Sequence, residues 1–258
     1  MPPLDPPIDR PLVVSRGDDL GLATAVHEAA IRAHREGFLK NVSVQCVAPR
    51  FREAAEALKR VPSLCVGLHV TITCEWANLR FEPAAGRERV PGLVDETGNF
   101  FQNVHAVPGG VDADQLVAEA RAQLERFRKV GLEPSYVDFH MGAHRASEAT
   151  AEAMVDFAAG EGLIHGDHFR AIPRPENDGG DVIDGYAKVL RTLPAGVYRY
   201  VRHPIADDAE TRQLVLRGRE AVDVVAGRLA ETASLTDARL RDAAEANGVR
   251  FVRYDEVA

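Results

Sequence analysis

The chain has 258 residues, 45% hydrophobic and 27% charged, which is the balance of an ordinary globular protein with enough length for one sizeable core. Asp and Glu outnumber Lys and Arg by 39 to 31, and the arginines are scattered among acidic neighbours, so a basic footprint for nucleic acid is excluded. Cys46, Cys65 and Cys74 are an odd set without a C-x-x-C spacing, which argues against a disulfide framework and against a thiolate zinc site.

Residues 1–10 form a Pro-rich extension carrying Asp5 and Asp9, where a secretory signal needs a basic start and an apolar run. No stretch approaches the roughly 20 apolar residues of a membrane span. The expected compartment is the cytoplasm, with no membrane partner.

Leu12-Val13-Val14 predicts a strand that stops at the polar loop Ser15-Arg16-Gly17-Asp18-Asp19. An Ala-rich helix is expected over 23–35, closed by Gly37. Residues 42–47 read as a strand, 49–60 as a helix and 64–69 as another strand. The rhythm then breaks over 71–111, a long insertion rich in Pro, Gly and charge that includes Trp76 and Phe100-Phe101. It reads either as an excursion covering substrate or as a surface insertion. Beyond it come a helix at 114–130, a strand at 136–139, a helix at 147–161 and a strand at 168–172. An irregular stretch over 173–184 follows, then a strand at 197–201, helices near 208–231 and 236–247, and a strand at 250–254. Alternation of this kind predicts an α/β fold with parallel strands in a single domain, with about seven β/α units against the eight of a full barrel.

Three polar clusters fall where apolar runs end: Asp18-Asp19, His69, and Asp138-x-His140. In parallel β/α folds the carboxyl ends of the strands share one face, so these distant residues are expected to converge. A carboxylate and two imidazoles, Asp19, His69 and His140, form a facial set for one divalent metal with open positions. Such an ion activates water and polarises a carbonyl, and Asp18 is placed to accept the water's proton. His203, at the end of the 197–201 run, is the candidate acid for a leaving amine. Each piece has a plain alternative: an Asp-Asp pair often caps or turns, a histidine in Gly67-Leu68-His69 suits a core, and His203 before Pro204 suits a turn. His27, His34, His105 and His165 read as surface or packing residues, and His168 lies at the wrong end of its strand.

With these motifs in place, the chain resembles the YdjC-like carbohydrate deacetylase family, which includes chitooligosaccharide deacetylases. The family's Asp-Asp-Phe-Gly is matched by Asp18-Asp19-Leu20-Gly21, and its Gly-Leu-His-Leu-Thr-Leu-Thr by Gly67-Leu68-His69-Val70-Thr71-Ile72-Thr73. Its Asp-Ser-His-x-His-x-His is matched by Asp138-Phe139-His140-Met141-Gly142-Ala143-His144, and a late His-Pro by His203-Pro204. The resemblance implies a distorted TIM-like barrel that hydrolyses the acetamido group of an N-acetylated sugar. It implies Asp19, His69 and His140 as metal ligands, Asp18 as base, His203 as a catalytic histidine, and Mg²⁺ or Zn²⁺ as the ion. Two imidazole ligands favour Zn²⁺, because Mg²⁺ prefers oxygen shells. Gly142 and Leu20 depart from the family pattern, and His144 is assigned to substrate contact or to a supporting position. A small carbohydrate is the expected partner, with a homodimer left open. The rival readings are hydrolysis of another amide or ester on the same scaffold, and carbohydrate binding without turnover.

Overall fold

The computed structural model describes residues 8–176, 181–220 and 222–257. Residues 1–7 of the expected Pro-rich extension and 177–180 of the expected irregular stretch lie outside the described residues.

One sheet organises the chain. Strands β1 (Pro11–Leu20), β2 (Asn41–Val44), β3 (Cys65–Val70) and β4 (Tyr136–Phe139) alternate with helices α1 (Thr24–Glu36), α2 (Phe51–Leu58) and α3 (Ala113–Lys129). Then follow α4 (Glu148–Gly160), β5 (Ile164–His165), β6 (Arg170–Ala171), α5 (Val182–Thr192), β7 (Gly196–Arg202), α6 (Val224–Ser234), α7 (Ala238–Ala246) and β8 (Arg250–Val252). Every pairing between these strands is parallel, in the order β5-β4-β3-β2-β1-β7-β6, with β8 on the lower part of β1. The sheet curls into a distorted TIM-like half-barrel with helices outside, and its short end strands β5 and β6 leave the ring open. Among the described residues no helix is long and apolar enough to cross a membrane.

Side-chain alternation along the strands separates two cores. Val13, Val42, Val44, Leu68, Val70 and Val137 face the helices and join the large outer core. Val14, Cys65, Tyr136, Val252 and Tyr254 face inward and plug the barrel. Two residues further along each strand the inward positions become polar: Arg16 above Val14 and Asp138 above Tyr136. Gly67, above Cys65, has to be glycine, because a Cβ there would lie 2.3 Å from the Tyr136 ring. The apolar plug thus forms a floor for a polar layer.

Several elements depart from the expectations. β1 does not stop at Val14 but runs on to Leu20. Its polar residues are tolerated because β7 pairs it from Pro11 to Gly17 and β2 from Arg16 to Leu20, so ladder bonds outweigh local loop propensity. Helix α5 was not expected; Asp181 caps it by accepting from Ile183 N at 2.7 Å. The helix expected near 208–231 exists only as α6, because the preceding segment pairs with the long insertion through a Trp76–Leu216 bridge and Gly218 takes φ 74°. The expected strand at 168–172 shrinks to β6, and β5 takes up pairing with β4 instead.

The 71–111 insertion has little regular structure, yet Trp76, Phe81, Leu93 and Phe100 are fully buried. One face of α3 holds it at four-residue spacing. Gln115 accepts from Gly92 N at 2.7 Å, and Glu119 from Ala84 N and Ala85 N at 2.8 and 2.9 Å. Gln123 bonds both backbone groups of Thr71.

Candidate active site

The carboxyl ends of β1, β3 and β4 deliver the site. The β1–β2 register shifts between Gly17 and Leu20, and within that bulge Asp19 takes φ 67°. A bulge re-aims one side chain without ending the strand, and here it lets both Asp18 and Asp19 face the cleft. Left-handed backbone at a non-glycine residue is strained, and such strain gathers at functional sites.

Asp19, His69 and His140 are brought together. Asp19 Oδ1 lies 3.5 Å from His69 Nε2 and 3.2 Å from His140 Nδ1, and the two nitrogens are 3.3 Å apart. All three side chains are buried. Each imidazole is oriented from behind by a carboxylate: Asp138 Oδ2 at 3.1 Å from His69 Nδ1, and Glu75 Oε2 at 2.9 Å from His140 Nε2. When those outer nitrogens donate, the inner ones turn lone pairs towards Asp19 Oδ1. Arg228 from α6 occupies the other oxygen of Asp19, with Nη2 at 2.7 Å from Oδ2, and its guanidinium stands over Trp76.

The surrounding carboxylates make the potential at this point negative. Burial works to raise Asp19, but Arg228 and the two imidazoles outweigh it and hold the carboxyl well below its usual range. Burial likewise disfavours charge on both imidazoles, yet Asp138 and Asp19 raise His69 to about 10. Glu75 and Asp19 raise His140 to about 9. Ligands at about 2.1 Å from one ion stand roughly 3.0–3.4 Å apart, so the three converging atoms already have the spacing of a facial metal set. Asp18, His69 and Asp138 also lie close together, but Arg16 Nη2 stands 2.9 Å from Asp138 and supplies the positive charge there.

Asp18 sits beside this set with both oxygens on Arg16, at 2.7 and 3.0 Å. His203 lines the same cleft at the end of β7. Glu231 Oε2 accepts from its Nδ1 at 2.9 Å and from its backbone N at 2.7 Å. His144 is not brought to the cleft. It lies buried against Phe139 and His165, 3.7 Å from Asp167, where burial and then nearby Arg145 lower it to about 4. The cleft above has a volume of about 630 Å³.

Arg16, Gln45, Glu75, Asp138, Arg228 and Glu231 hold the candidate residues, and of these only Asp138 belongs to a cluster that the sequence singles out. For Arg16 and Gln45 a signal existed. Val14-x-Arg16-x-Asp18 and Asn41-x-Ser43-x-Gln45 place polar residues on one face of buried strands.

Fold and site together define a parallel β/α barrel protein with a metal-capable ligand set on its carboxyl rim. The chain belongs to the YdjC-like protein family, whose model matches residues 12–245. It is 32% identical over 133 residues to a carbohydrate deacetylase of Enterococcus faecalis strain V583, a match covering 51% of this chain and 49% of the relative. It is also 32% identical over 131 residues to a carbohydrate deacetylase of Geobacillus stearothermophilus, covering 51% and 49%. The chain thus spans about half the length of the curated relatives it matches. A solved Enterococcus faecalis V583 protein described as a cellobiose-phosphate cleavage protein shares the fold at TM-score 0.81 and 22% identity, covering 96% of this chain and 99% of that one. The Bc1960 peptidoglycan N-acetylglucosamine deacetylase shares it at TM-score 0.54 and 10% identity, covering 97% and 89%.

Proposed function

We propose that the chain is a metal-dependent hydrolase that removes the N-acetyl group from an amino sugar or short oligosaccharide and releases acetate. The observation that carries this reading is the convergence of Asp19 Oδ1, His69 Nε2 and His140 Nδ1 within 3.5 Å of one another. The curated relatives, named carbohydrate deacetylases, supply the substrate class. Asp19, His69 and His140 would hold the ion, and the two nitrogen donors favour Zn²⁺ over Mg²⁺. A divalent ion bound there supplies Lewis acidity, lowering the pKa of water and polarising the acetamide carbonyl.

Asp18 takes up the proton of the attacking water, and its Arg16 clamp fixes the carboxylate in one orientation. His203 donates the proton that the departing amine needs. Glu231 on its Nδ1 leaves Nε2 as the ring nitrogen available to the cleft.

The rim narrows the substrate further. Arg145, Arg202, Arg217 and Arg219 line the cleft of a chain with net charge −8. Among the described residues none of the four has a carboxylate partner. Such a rim favours a sugar carrying phosphate or carboxylate.

Acetate release from N-acetylglucosamine oligomers, with and without a 6-phosphate, tests the reading. The expected result is turnover that chelator abolishes, Zn²⁺ restores and His69→Ala removes. Turnover that survives complete metal stripping overturns it. Strict preference for an ester or a non-sugar amide would replace the substrate class, and sugar binding without acetate formation would make the chain a binding protein.

A further inference from the structure

Strand β2 and the residue that follows it carry a polar inner row. Asn41, Ser43 and Gln45 are fully buried and alternate with Val42, Val44 and Cys46, which belong to the outer core. The first two spend their polar atoms on the barrel. Asn41 Nδ2 donates to the Ser15 and Val252 carbonyls, and its Oδ1 accepts from Tyr254 N. Ser43 Oγ meets Tyr136 Oη at 2.9 Å.

Gln45 has no such structural partner. Its Nε2 lies 3.1 Å from Asp19 Oδ1 and 3.0 Å from His140 Nδ1, and its Oε1 is buried without any hydrogen bond. Ligands at about 2.1 Å from an ion stand roughly 3.0 Å apart at neighbouring octahedral corners. The end of the Gln45 side chain therefore stands where a further ligand to the same ion would stand. The nitrogen and oxygen ends of a glutamine amide have the same shape, and the hydrogen-bond network decides which end faces inward. Once Asp19 Oδ1 and His140 Nδ1 turn their lone pairs to a cation, the oxygen end is favoured at that corner. Turning the amide breaks no bond at its far end, because Oε1 has none.

We propose that Gln45 supplies a fourth protein ligand to the metal site through Oε1, beside Asp19, His69 and His140; the assignment rests on the metal-dependent reading above. Four side chains would then hold the ion, which would supply its Lewis acidity to water and to the acyl oxygen.

Zn²⁺ and Co²⁺ affinities of the full chain, measured by competition with a chromophoric chelator, test this without reference to activity. Gln45→Met keeps the length and removes the oxygen, and is expected to weaken both ions at least tenfold with an altered Co²⁺ visible spectrum. Gln45→Glu keeps an oxygen but has no N–H, and is expected to bind both ions more tightly than wild type. It also carries the test should the Met variant fail to fold. A Met variant within threefold of wild type, or a Glu variant weaker than wild type, overturns the assignment and leaves the three-ligand reading standing. A wild-type chain that takes up neither ion overturns both.

Discussion

Arg16 grips Asp18 through two parallel hydrogen bonds, Nε to Oδ1 at 2.7 Å and Nη2 to Oδ2 at 3.0 Å. The same guanidinium reaches Asp138 at 2.9 Å, Tyr254 Oη at 3.1 Å and Asp167 at 3.5 Å. It is buried, so it carries compensating charge for Asp18 and Asp138, and it shares Asp167 with Arg199. Lysine offers a point charge and cannot reproduce the fork. Arg16→Lys is expected to fold with a lowered Tm and to lose at least tenfold in kcat, with metal content unchanged. Arg16→Met leaves buried carboxylates uncompensated and is expected to cost about 3–5 kcal/mol. Thermal unfolding, metal analysis and acetate release measure the three effects, and a wild-type kcat in Arg16→Lys would show that the fork does not orient the base.

Glu75 tests the support behind the proposed ligands. It comes from the long insertion, yet its Oε2 meets His140 Nε2 at 2.9 Å. Partners of this kind fix the tautomer of a metal-bound histidine, and their loss typically weakens metal affinity 10–100-fold. Glu75→Ala is expected to fall in that range while keeping the fold, because the insertion remains held by Gln115, Glu119 and Gln123. Equilibrium dialysis against Zn²⁺ provides the measurement, and wild-type affinity in the variant would remove Glu75 from the site.

His203 separates the proposed proton donation from the proposed metal binding. It lines the cleft but, among the described residues, has no hydrogen bond or ion pair to Asp19, His69 or His140, and its partner is Glu231. A positioned acid contributes roughly 10²–10⁴-fold, so His203→Ala is expected to lower kcat by that range with Zn²⁺ content and sugar binding intact. Glu231→Gln is expected to fall between the variant and wild type. Loss of metal from His203→Ala, read by elemental analysis, would contradict the assignment.

Much of this is legible in the amino-acid sequence alone. Asp19, His69 and His140 stand out as polar residues where apolar runs end, and parallel topology then brings them to one rim. The supporting residues were hidden for two reasons. Arg16 sits between Ser15 and Gly17, which read as a loop, and Gln45 sits between Val44 and Cys46 just past the end of β2, where it is easily taken for part of an apolar run. Glu75 and Arg228 belong to segments whose positions depend on tertiary pairing, such as the Trp76–Leu216 bridge, which no local periodicity reveals. The same pairing undid the helix expected near 208–231.

His144 provides a pH test away from the ligands. From the sequence it is assigned to substrate contact or to a supporting position, and it packs behind the cleft on Phe139 and His165 with Nδ1 unpartnered. Burial, then Arg145, lowers it from the ordinary 6.5 to about 4 in the folded chain. A histidine with a depressed folded pKa binds its proton more readily when unfolded. Its contribution to stability is therefore complete above pH 6.5 and is lost as pH falls towards 4. Two to three pH units of linkage amount to roughly 3 kcal/mol. Urea midpoints at pH 7, 5.5 and 4.5 are expected to fall more steeply for wild type than for His144→Asn, which has nothing to protonate there. The variant should lose little sugar binding, since its side chain does not line the cleft. Parallel pH profiles for the two proteins would show that His144 is charged in the folded state, and a large rise in KM for His144→Asn would return it to the substrate.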